Sequence, residues 1–285
     1  MKRAMVTSMA MLAAACGGET GALTVTVSGE EAAVSGFDAS AFEDGWAVGF
    51  DAIVVSLSAF DLHGADGGRA ALEGDAVLVD LTRGDATLWT FEGVPARRWE
   101  DVRYRIAPAT EQARDAGPVD AALRRRMLDE GLSMLVIGTA SRDDLTRDFD
   151  LAFTLDIGHS RCQGQDGTDG IIVRTGGESE TQITLHWDHL FFDSLALEEA
   201  GMRFEAIAAA SDESAPITLS DLSGQRLVDL RGTDGGPLVD EDGAPIVYDP
   251  GSTPLPEPTL RGMIEAAAIT VGHLDDEGHC EYEPR

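Results

Sequence analysis

A series of short segments with strand character, separated by turns, covers residues 23–190 and constrains the fold more than any other feature. The segment LTVTV at 23–27 alternates apolar and polar side chains, which is the period of a strand with one buried face. The later segments are rich in β-branched and aromatic residues, and Gly and Asp residues separate them. About eight or nine such segments, with one inserted helix at 118–130, predict a mainly β fold with an antiparallel β-sandwich or barrel over residues 23–190.

The strand-like segment at 46–62 changes its apolar phase along its length. Val48 and Phe50 share one phase, whereas Ile53 and the apolar residues after it follow the other. One extra residue in a strand produces such a shift, because successive side chains point to opposite faces of a sheet. We therefore predict a β-bulge at 51–52.

The sequence changes character after residue 190. Apolar residues recur at helical spacing in 191–210, and candidate helices follow at 218–230 and 259–270. A long loop rich in Gly, Pro and Asp separates the last two. We predict a small helical and loop-rich C-terminal region over residues 191–285.

The net charge of the chain excludes one class of partner. It is −30, from 51 acidic and 21 basic residues. A surface of this sign repels phosphate backbones, so nucleic acid is not an expected partner. We interpret the acidic residues as a solvated surface, and a dedicated cation-binding role is the alternative.

The first residues of the chain, MKRAMVTSMAMLAAAC, have the organisation of a signal peptide. Lys2 and Arg3 form a basic start, an apolar run covers 4–12, and small residues precede Cys16. The apolar run is too short to span a bilayer, which needs about 20 residues. The pattern therefore predicts export.

The end of this segment resembles the lipobox of bacterial lipoproteins, in which small residues precede a cysteine that carries the lipid. The resemblance implies a signal peptide over residues 1–15, lipidation of Cys16 and a lipid-anchored tether over residues 16–22. Ala13 stands where the lipobox usually has Leu, and an ordinary signal peptide with an unmodified cysteine is the alternative. Gly17 implies transport to the outer membrane, on its periplasmic or surface face.

The number of cysteines agrees with this interpretation. The chain has 3, an odd number for an exported protein. If Cys16 carries lipid, Cys162 and Cys280 remain to form a disulfide in an oxidising compartment. Such a bridge would contribute roughly 4–5 kcal/mol in the chain-entropy model. Two buried thiols are the alternative.

Candidate metal ligands occur in TLHWDHLFFD, residues 184–193, where strand-like sequence changes to helix-like sequence. His186, Asp188 and His189 form an H-x-D-H group. Neutral imidazoles three residues apart can bind one transition-metal ion if the backbone turns between them. A helix cap or core position, and a catalytic base, are the other interpretations.

A second group of histidines lies near the C-terminus. His273 and His279 flank an acidic segment next to Cys280, and a bridge from Cys280 to Cys162 would bring this segment towards His159. If these segments meet, His186 and His189 together with His273 or His279 form the candidate transition-metal site.

The segment at 210–221, ASDESAPITLSD, resembles a degenerate EF-hand loop. Asp212 occupies the third ligand position, Ser214 the fifth and Asp221 the last, while Ala215 stands where the loop requires Gly. With so few carboxylates the loop is predicted to be vestigial, and calcium is not an expected cofactor.

The chain as a whole is similar to uncharacterised exported lipoproteins of Gram-negative bacteria. The likeness rests on the lipobox, WAVGFD at 46–51, H-x-D-H-L-F at 186–191, the EF-hand-like segment and G-H-x-x-x-E-G-H-C at 272–280. It implies a lipoprotein that contacts the membrane through its lipid and an envelope protein as a further partner.

Recognised catalytic motifs do not occur in the chain, among them G-x-S-x-G, H-E-x-x-H, C-x-x-C and the dinucleotide fingerprint. The sequence therefore favours a non-catalytic, outer-membrane-anchored lipoprotein that binds an unknown ligand or has a structural role. The alternative is a transition-metal-binding lipoprotein that uses His186 and His189.

Overall fold

The computed structural model describes residues 19–72, 76–164, 166–196, 200–212, 214–240 and 242–284. The predicted signal peptide and the predicted lipidation site at Cys16 lie outside these residues. Within them, none of the helices has both the length and the apolar character that crossing a membrane requires.

The described residues form a mainly β structure. The strands are β1 (Thr20–Ser28), β2 (Ala47–His63), β3 (Arg69–Leu72), β4 (Val77–Asp80), β5 (Ala86–Pro95), β6 (Arg98–Trp99), β7 (Asp101–Ile106), β8 (Arg114–Asp115), β9 (Met134–Arg142), β10 (Leu145–Phe153), β11 (Ile157–Ser160), β12 (Ile171–Ile172), β13 (Glu178–Leu185), β14 (Ile217–Thr218), β15 (Gly272–Leu274) and β16 (Glu281–Pro284). The helices are α1 (Glu30–Ser35), α2 (Ala121–Asp129), α3 (Glu205–Ala208), α4 (Leu219–Leu222) and α5 (Leu260–Ile269). Short 3₁₀ helices lie at Ala39–Ala41, Leu81–Arg83 and Trp187–Phe191.

The longer strands form two main sheets. The smaller sheet has the order β15-β13-β1-β5. The larger sheet has the order β14-β10-β9-β2-β7-β11-β16, with β3 and β4 paired to β2 and β8 paired to β4. In the described ranges each of these sheets has free end strands, so the barrel alternative of the prediction is wrong.

Parallel pairs occur in both sheets. β1 pairs in parallel with β13, β10 with β14, and β4 with β8. The prediction of a purely antiparallel architecture is therefore wrong. Alternation in a sequence indicates which face of a strand is buried, but it does not indicate the direction of the neighbouring strand.

The predicted bulge in the long strand β2 is confirmed. The pairing of β2 with β9 shifts register between Phe50 and Ala52. Because of the extra residue, Val48 before the bulge and Ile53 after it are both buried in the same core. The change of apolar phase in the sequence therefore predicted the position of the bulge correctly.

The helix predicted at 118–130 is α2. Asp120 precedes it, and its carboxylate accepts hydrogen bonds from the backbone N–H of Ala122 (2.8 Å) and of Leu123 (3.2 Å), which stabilises the start of the helix. The prediction of a single inserted helix is wrong, because α1 also precedes residue 190. α1 has only 6 residues, too few for a helical period to show in the sequence.

Residues after 190 pack onto the same sheets as the strands before them. β14 pairs with β10, β15 with β13, and β16 with β11. Leu260 of α5 shares one continuous apolar core with Leu23 of β1. β1 itself begins at Thr20, so the last residues of the predicted tether are part of a sheet. The C-terminal segments therefore belong to the same two sheets and the same core as the strands before them.

Candidate metal centre

The H-x-D-H group lies where β13 ends and the 3₁₀ helix Trp187–Phe191 begins. The apolar residues of this short helix are buried in the core, which holds the turn in place. A 3₁₀ helix has three residues per turn, so His186 and His189 lie on the same side of it. Ligand atoms of His186, Asp188 and His189 all lie within 4.8 Å of one another.

β15 places His273 against this group. It pairs with β13 in an antiparallel manner, with His273 opposite Thr184 and Gly272 opposite Leu185. Gly272 is required by close packing, because a Cβ atom there would lie 2.4 Å from His159 Nε2 and 2.5 Å from Tyr104 Oη. The backbone of β15 can therefore approach the neighbouring rings only without a side chain at this position.

The four histidines predicted as ligands meet in the structure. The ring centroids of His273 and His186 are 4.3 Å apart, and those of His273 and His189 are 5.4 Å apart. His186 and His189 are separated by 5.7 Å, and His273 and His279 by 5.4 Å. His273 therefore lies at the centre of the group.

His159 is a fifth member of this cluster. It lies on β11 of the larger sheet and stacks on Tyr104, with 4.4 Å between ring centroids and 4° between ring planes. His159 and the other histidines of the group lie close enough to His273 to lower its pKa, because a positive charge on any of them would disfavour a second one on His273. The chain has 6 histidines, and the sixth, His63, lies at the end of β2 near Asp101. The name "histidine cluster" is used below for His159, His186, His189, His273 and His279.

Carboxylates surround the histidine cluster. Glu30 Oε2 lies 3.6 Å from His186 Nδ1. Burial raises the pKa of Glu30, His186 lowers it, and the nearby carboxylates of Asp276, Asp188 and Glu277 raise it further. A bound cation would relieve this repulsion. No pattern in the sequence indicated Glu30, because α1 is brought to the site only by the fold.

Both histidines of the H-x-D-H group also make hydrogen bonds to residues near the C-terminus. His186 Nε2 lies 3.2 Å from the carbonyl oxygen of Asp276, and His189 Nδ1 lies 2.9 Å from Thr270 Oγ1. His186 occupies the N-cap position of the 3₁₀ helix, but its side chain makes no capping hydrogen bond. Each ring therefore has one nitrogen held by a neighbour, and such a contact orients the other nitrogen in many metal sites.

Buried nitrogen atoms without partners occur in this cluster. His273 Nδ1 and both ring nitrogens of His159 make no hydrogen bond within the described residues. Burial lowers the pKa of His159 to about 3, and burial together with the other four histidines lowers the pKa of His273 to about 3. Burial also lowers the pKa of His189. Neutral imidazole is the form that binds metal ions, so these low pKa values keep the rings in the form that can act as ligands.

A small cavity of about 80 Å³ opens among these rings. Its walls include His189, His273, His279 and Cys280. The side chain of His279 is exposed and connects the cavity with solvent. The volume suits a metal ion with a few water molecules, whereas pockets for larger organic ligands measure about 300–1,000 Å³.

The predicted disulfide is present between Cys162 and Cys280. It fixes the C-terminal segment to the end of β11, and the backbone N–H of Gln163 donates a hydrogen bond of 2.9 Å to the carbonyl oxygen of His279. The bridge therefore helps to hold His279 beside His273.

The EF-hand-like segment takes a different role. Asp212 accepts a hydrogen bond of 2.9 Å from the backbone N–H of Ser214 within its own turn. Asp221 accepts hydrogen bonds from the backbone N–H (2.8 Å) and hydroxyl (2.7 Å) of Thr218 and caps α4. Its flanking helices α3 and α4 are 4 residues long each. These contacts explain both carboxylates without a calcium ion.

A larger cavity of about 500 Å³ lies beside Asp44 and Glu205. Some of its charged side chains are already paired or hydrogen-bonded within the fold. Arg142 lies 2.8 Å from Glu205, and Asp44 Oδ2 accepts backbone hydrogen bonds of 2.8 Å from Phe204 and Glu205. Among the described residues, this cavity has one buried side-chain oxygen without a partner, Asp44 Oδ1, whereas the histidine cluster has three such nitrogen atoms, so the cluster is the stronger candidate site.

Comparison of this chain with protein-family models, with curated protein sequences and with solved structures finds no match. The chemistry of the site is therefore inferred from its own residues.

Proposed function

We propose that this protein binds a transition-metal ion in its histidine cluster. The observation that carries the proposal is that 5 of the 6 histidines, from separate parts of the chain, form one cluster around His273, and that His189, His273 and His279 of this cluster line one small cavity. Histidines distributed without a common function would not be expected to converge in this way.

The donor atoms favour a transition metal over calcium or magnesium. Imidazole nitrogen suits zinc, copper, nickel and iron, whereas calcium and magnesium prefer oxygen ligands. His186, Asp188 and His189 would supply the first ligands, because their donor atoms lie close together. His273 would complete the site with a nitrogen that has no other partner within the described residues.

The proposed location is the cell envelope, with the chain anchored to the outer membrane through a lipid on Cys16. The signal-peptide and lipobox patterns support this location. The disulfide is consistent with it, because such bonds persist in oxidising compartments. We propose a binding protein and not an enzyme, since recognised catalytic motifs do not occur in the sequence.

A binding or structural role without metal, with an envelope protein as partner, is the competing proposal. It would leave the buried Nδ1 of His273, which has no partner within the described residues, without an explanation. Buried polar groups are normally hydrogen-bonded, so the metal proposal accounts for more of the structure.

Metal analysis of the tag-free protein tests the proposed function. We expect about one zinc, copper or nickel ion per chain after dialysis, and its loss in the double variant His186→Ala/His189→Ala. His63→Ala is the matched control, because His63 lies outside the histidine cluster. A protein without metal, or an equal loss in the control variant, would contradict the proposal.

We also infer that the two main sheets pack face to face as a sandwich. Phe60 of β2 and Trp89 of β5 belong to different sheets, and their ring centroids are 6.0 Å apart. Buried side chains of both sheets contribute to one continuous core, as a sandwich requires.

A further inference from the structure

The disulfide and the histidine cluster share one cavity. Cys280 lines it together with His189, His273 and His279. Cys280 Sγ lies 4.0 Å from Tyr104 Oη, and Tyr104 Oη in turn donates a hydrogen bond of 3.2 Å to the carbonyl oxygen of His273. A sulfur atom of the disulfide is therefore close to the proposed metal ligands.

The two cysteines of the bridge have different surroundings. Cys162 is 0% exposed and belongs to the apolar core. Cys280 is half-buried, and a groove of about 440 Å³ on the outer side also contacts it and His279. The disulfide can therefore be approached from solvent at Cys280, and the sulfur that would face the cavity after reduction is that of Cys280.

We propose that reduction of this disulfide by a dithiol converts the histidine cluster into a copper(I) site, with the Cys280 thiolate as a new ligand beside His273 and His279. The proposal rests on the proposed metal-binding function and specifies its regulation. In the oxidised protein the proposed ligands of the described site are nitrogen and oxygen donors, whereas reduction adds a soft sulfur donor. Thiolate sulfur selects copper(I) over harder ions.

The reduction proceeds by thiol–disulfide exchange. A thiolate of the dithiol attacks one sulfur of the bridge and forms a mixed disulfide, and its second thiol then displaces the protein sulfur. The Cys162–Cys280 bond is broken, a disulfide forms in the dithiol, and two electrons and two protons pass to the two cysteines. Binding of copper(I) then displaces the proton of the Cys280 thiol to solvent.

The shape of the site favours the change of ligand. His279 precedes Cys280 directly, so the same short segment carries both donors. His273 Nδ1 is buried, and it has no partner among the described residues. Pairing of β16 with β11 over Glu281–Pro284 would hold the segment in place after the bridge is broken.

The test compares two variants that both lack the bridge. Cys162→Ser leaves the Cys280 thiol in the cavity, whereas Cys280→Ser leaves a thiol in the core. Copper(I) affinity is measured without oxygen, by competition with bathocuproine disulfonate, and ascorbate keeps copper reduced without breaking disulfides. Circular dichroism checks that both variants fold, and wild-type protein reduced with dithiothreitol and then freed of it provides an independent arm.

We expect Cys162→Ser and reduced wild-type protein to bind copper(I) at least about ten-fold more tightly than oxidised wild-type protein. Cys280→Ser should show no such gain. Equal affinities of the two variants, or no gain in reduced wild-type protein, would overturn the inference. Either result would leave the proposed function intact if oxidised protein still binds zinc or copper(II) through His186 and His189.

Discussion

His159 and His273 are the most buried histidines of the cluster, with 1% and 4% of their surface exposed. A histidine in such a place is stable in the fold only as neutral imidazole, because burial penalises the charged form. Close packing at Gly272 holds the backbone of β15 against the His159 ring. At the scale of single residues, the site therefore depends on keeping the histidine rings neutral as much as on the positions of their nitrogen atoms.

The burial of these histidines predicts a loss of stability in acid. Burial lowers their pKa values to about 3 in the fold, from the ordinary value of 6.5, so the unfolded chain binds more protons between these values. Stability of the metal-free protein should therefore decrease as the pH falls from 6.5 towards 3, by about 1.4 kcal/mol per pH unit for each histidine. Urea unfolding at a series of pH values measures this slope.

His159→Phe provides the comparison for this prediction. The variant keeps an aromatic ring against Tyr104 but removes one of the two titrating groups. The slope of stability against pH should decrease by about 1.4 kcal/mol per pH unit, the contribution of one such histidine. An unchanged slope would show that other groups cause the acid sensitivity.

At the scale of secondary structure, the position of the site depends on the contact between β13 and the segment that follows β15. The Asp275 carboxylate accepts hydrogen bonds from Thr181 Oγ1 (3.0 Å) and from the backbone N–H of Gln182 (2.8 Å). The backbone N–H of Asp275 donates a further bond of 2.8 Å to the carbonyl oxygen of Gln182. Asp275 thus joins the C-terminal segment to β13, two residues after His273.

Asp275→Ala should weaken metal binding although Asp275 is not a proposed ligand. Loss of the carboxylate leaves two donors on β13 without their partner, which costs about 1–3 kcal/mol of folding stability. It should also release the segment that carries His279 and lower zinc affinity by about ten-fold. Competition with a chromogenic chelator measures the affinity.

Glu277→Ala is the control for this variant. It removes the same charge from the same turn, but Glu277 is exposed. A similar loss of affinity in both variants would mean that the charge near the site matters and that the Asp275 hydrogen bonds do not.

At the scale of the whole molecule, the histidine cluster lies where the two sheets meet. His273 belongs to the smaller sheet through β15, and His159 belongs to the larger sheet through β11. The disulfide joins Cys162, which follows β11, to Cys280, which follows β15. The C-terminal segment therefore contributes to both sheets and to the site between them.

The proposed envelope location also concerns the whole molecule. Intact-mass spectrometry of protein extracted from membranes should show a chain that begins at Cys16 with added acyl groups, because a lipid anchor requires more than one chain for stable attachment. A Cys16→Ala variant should lack this mass and leave the membrane fraction. An unmodified chain that begins at Met1 would contradict the lipoprotein proposal.

The sequence alone determined the mainly β character, the bulge in β2 and the helix α2. These features depend on neighbouring residues, through alternation, phase and helix capping. It also determined which residue types were available for a metal site, and it correctly predicted that Cys162 pairs with Cys280.

Only the tertiary structure decided the direction of β1 against β13, the open edges of the sheets and the composition of the site. Glu30 and Gly272 reach the histidine cluster through contacts between distant parts of the chain. Such contacts depend on how strands pair and on how closely backbones approach, and local periodicity carries no information about either. The sequence predicted which histidines meet, but the distances between their rings and the burial of each ring are properties of the packed sheets.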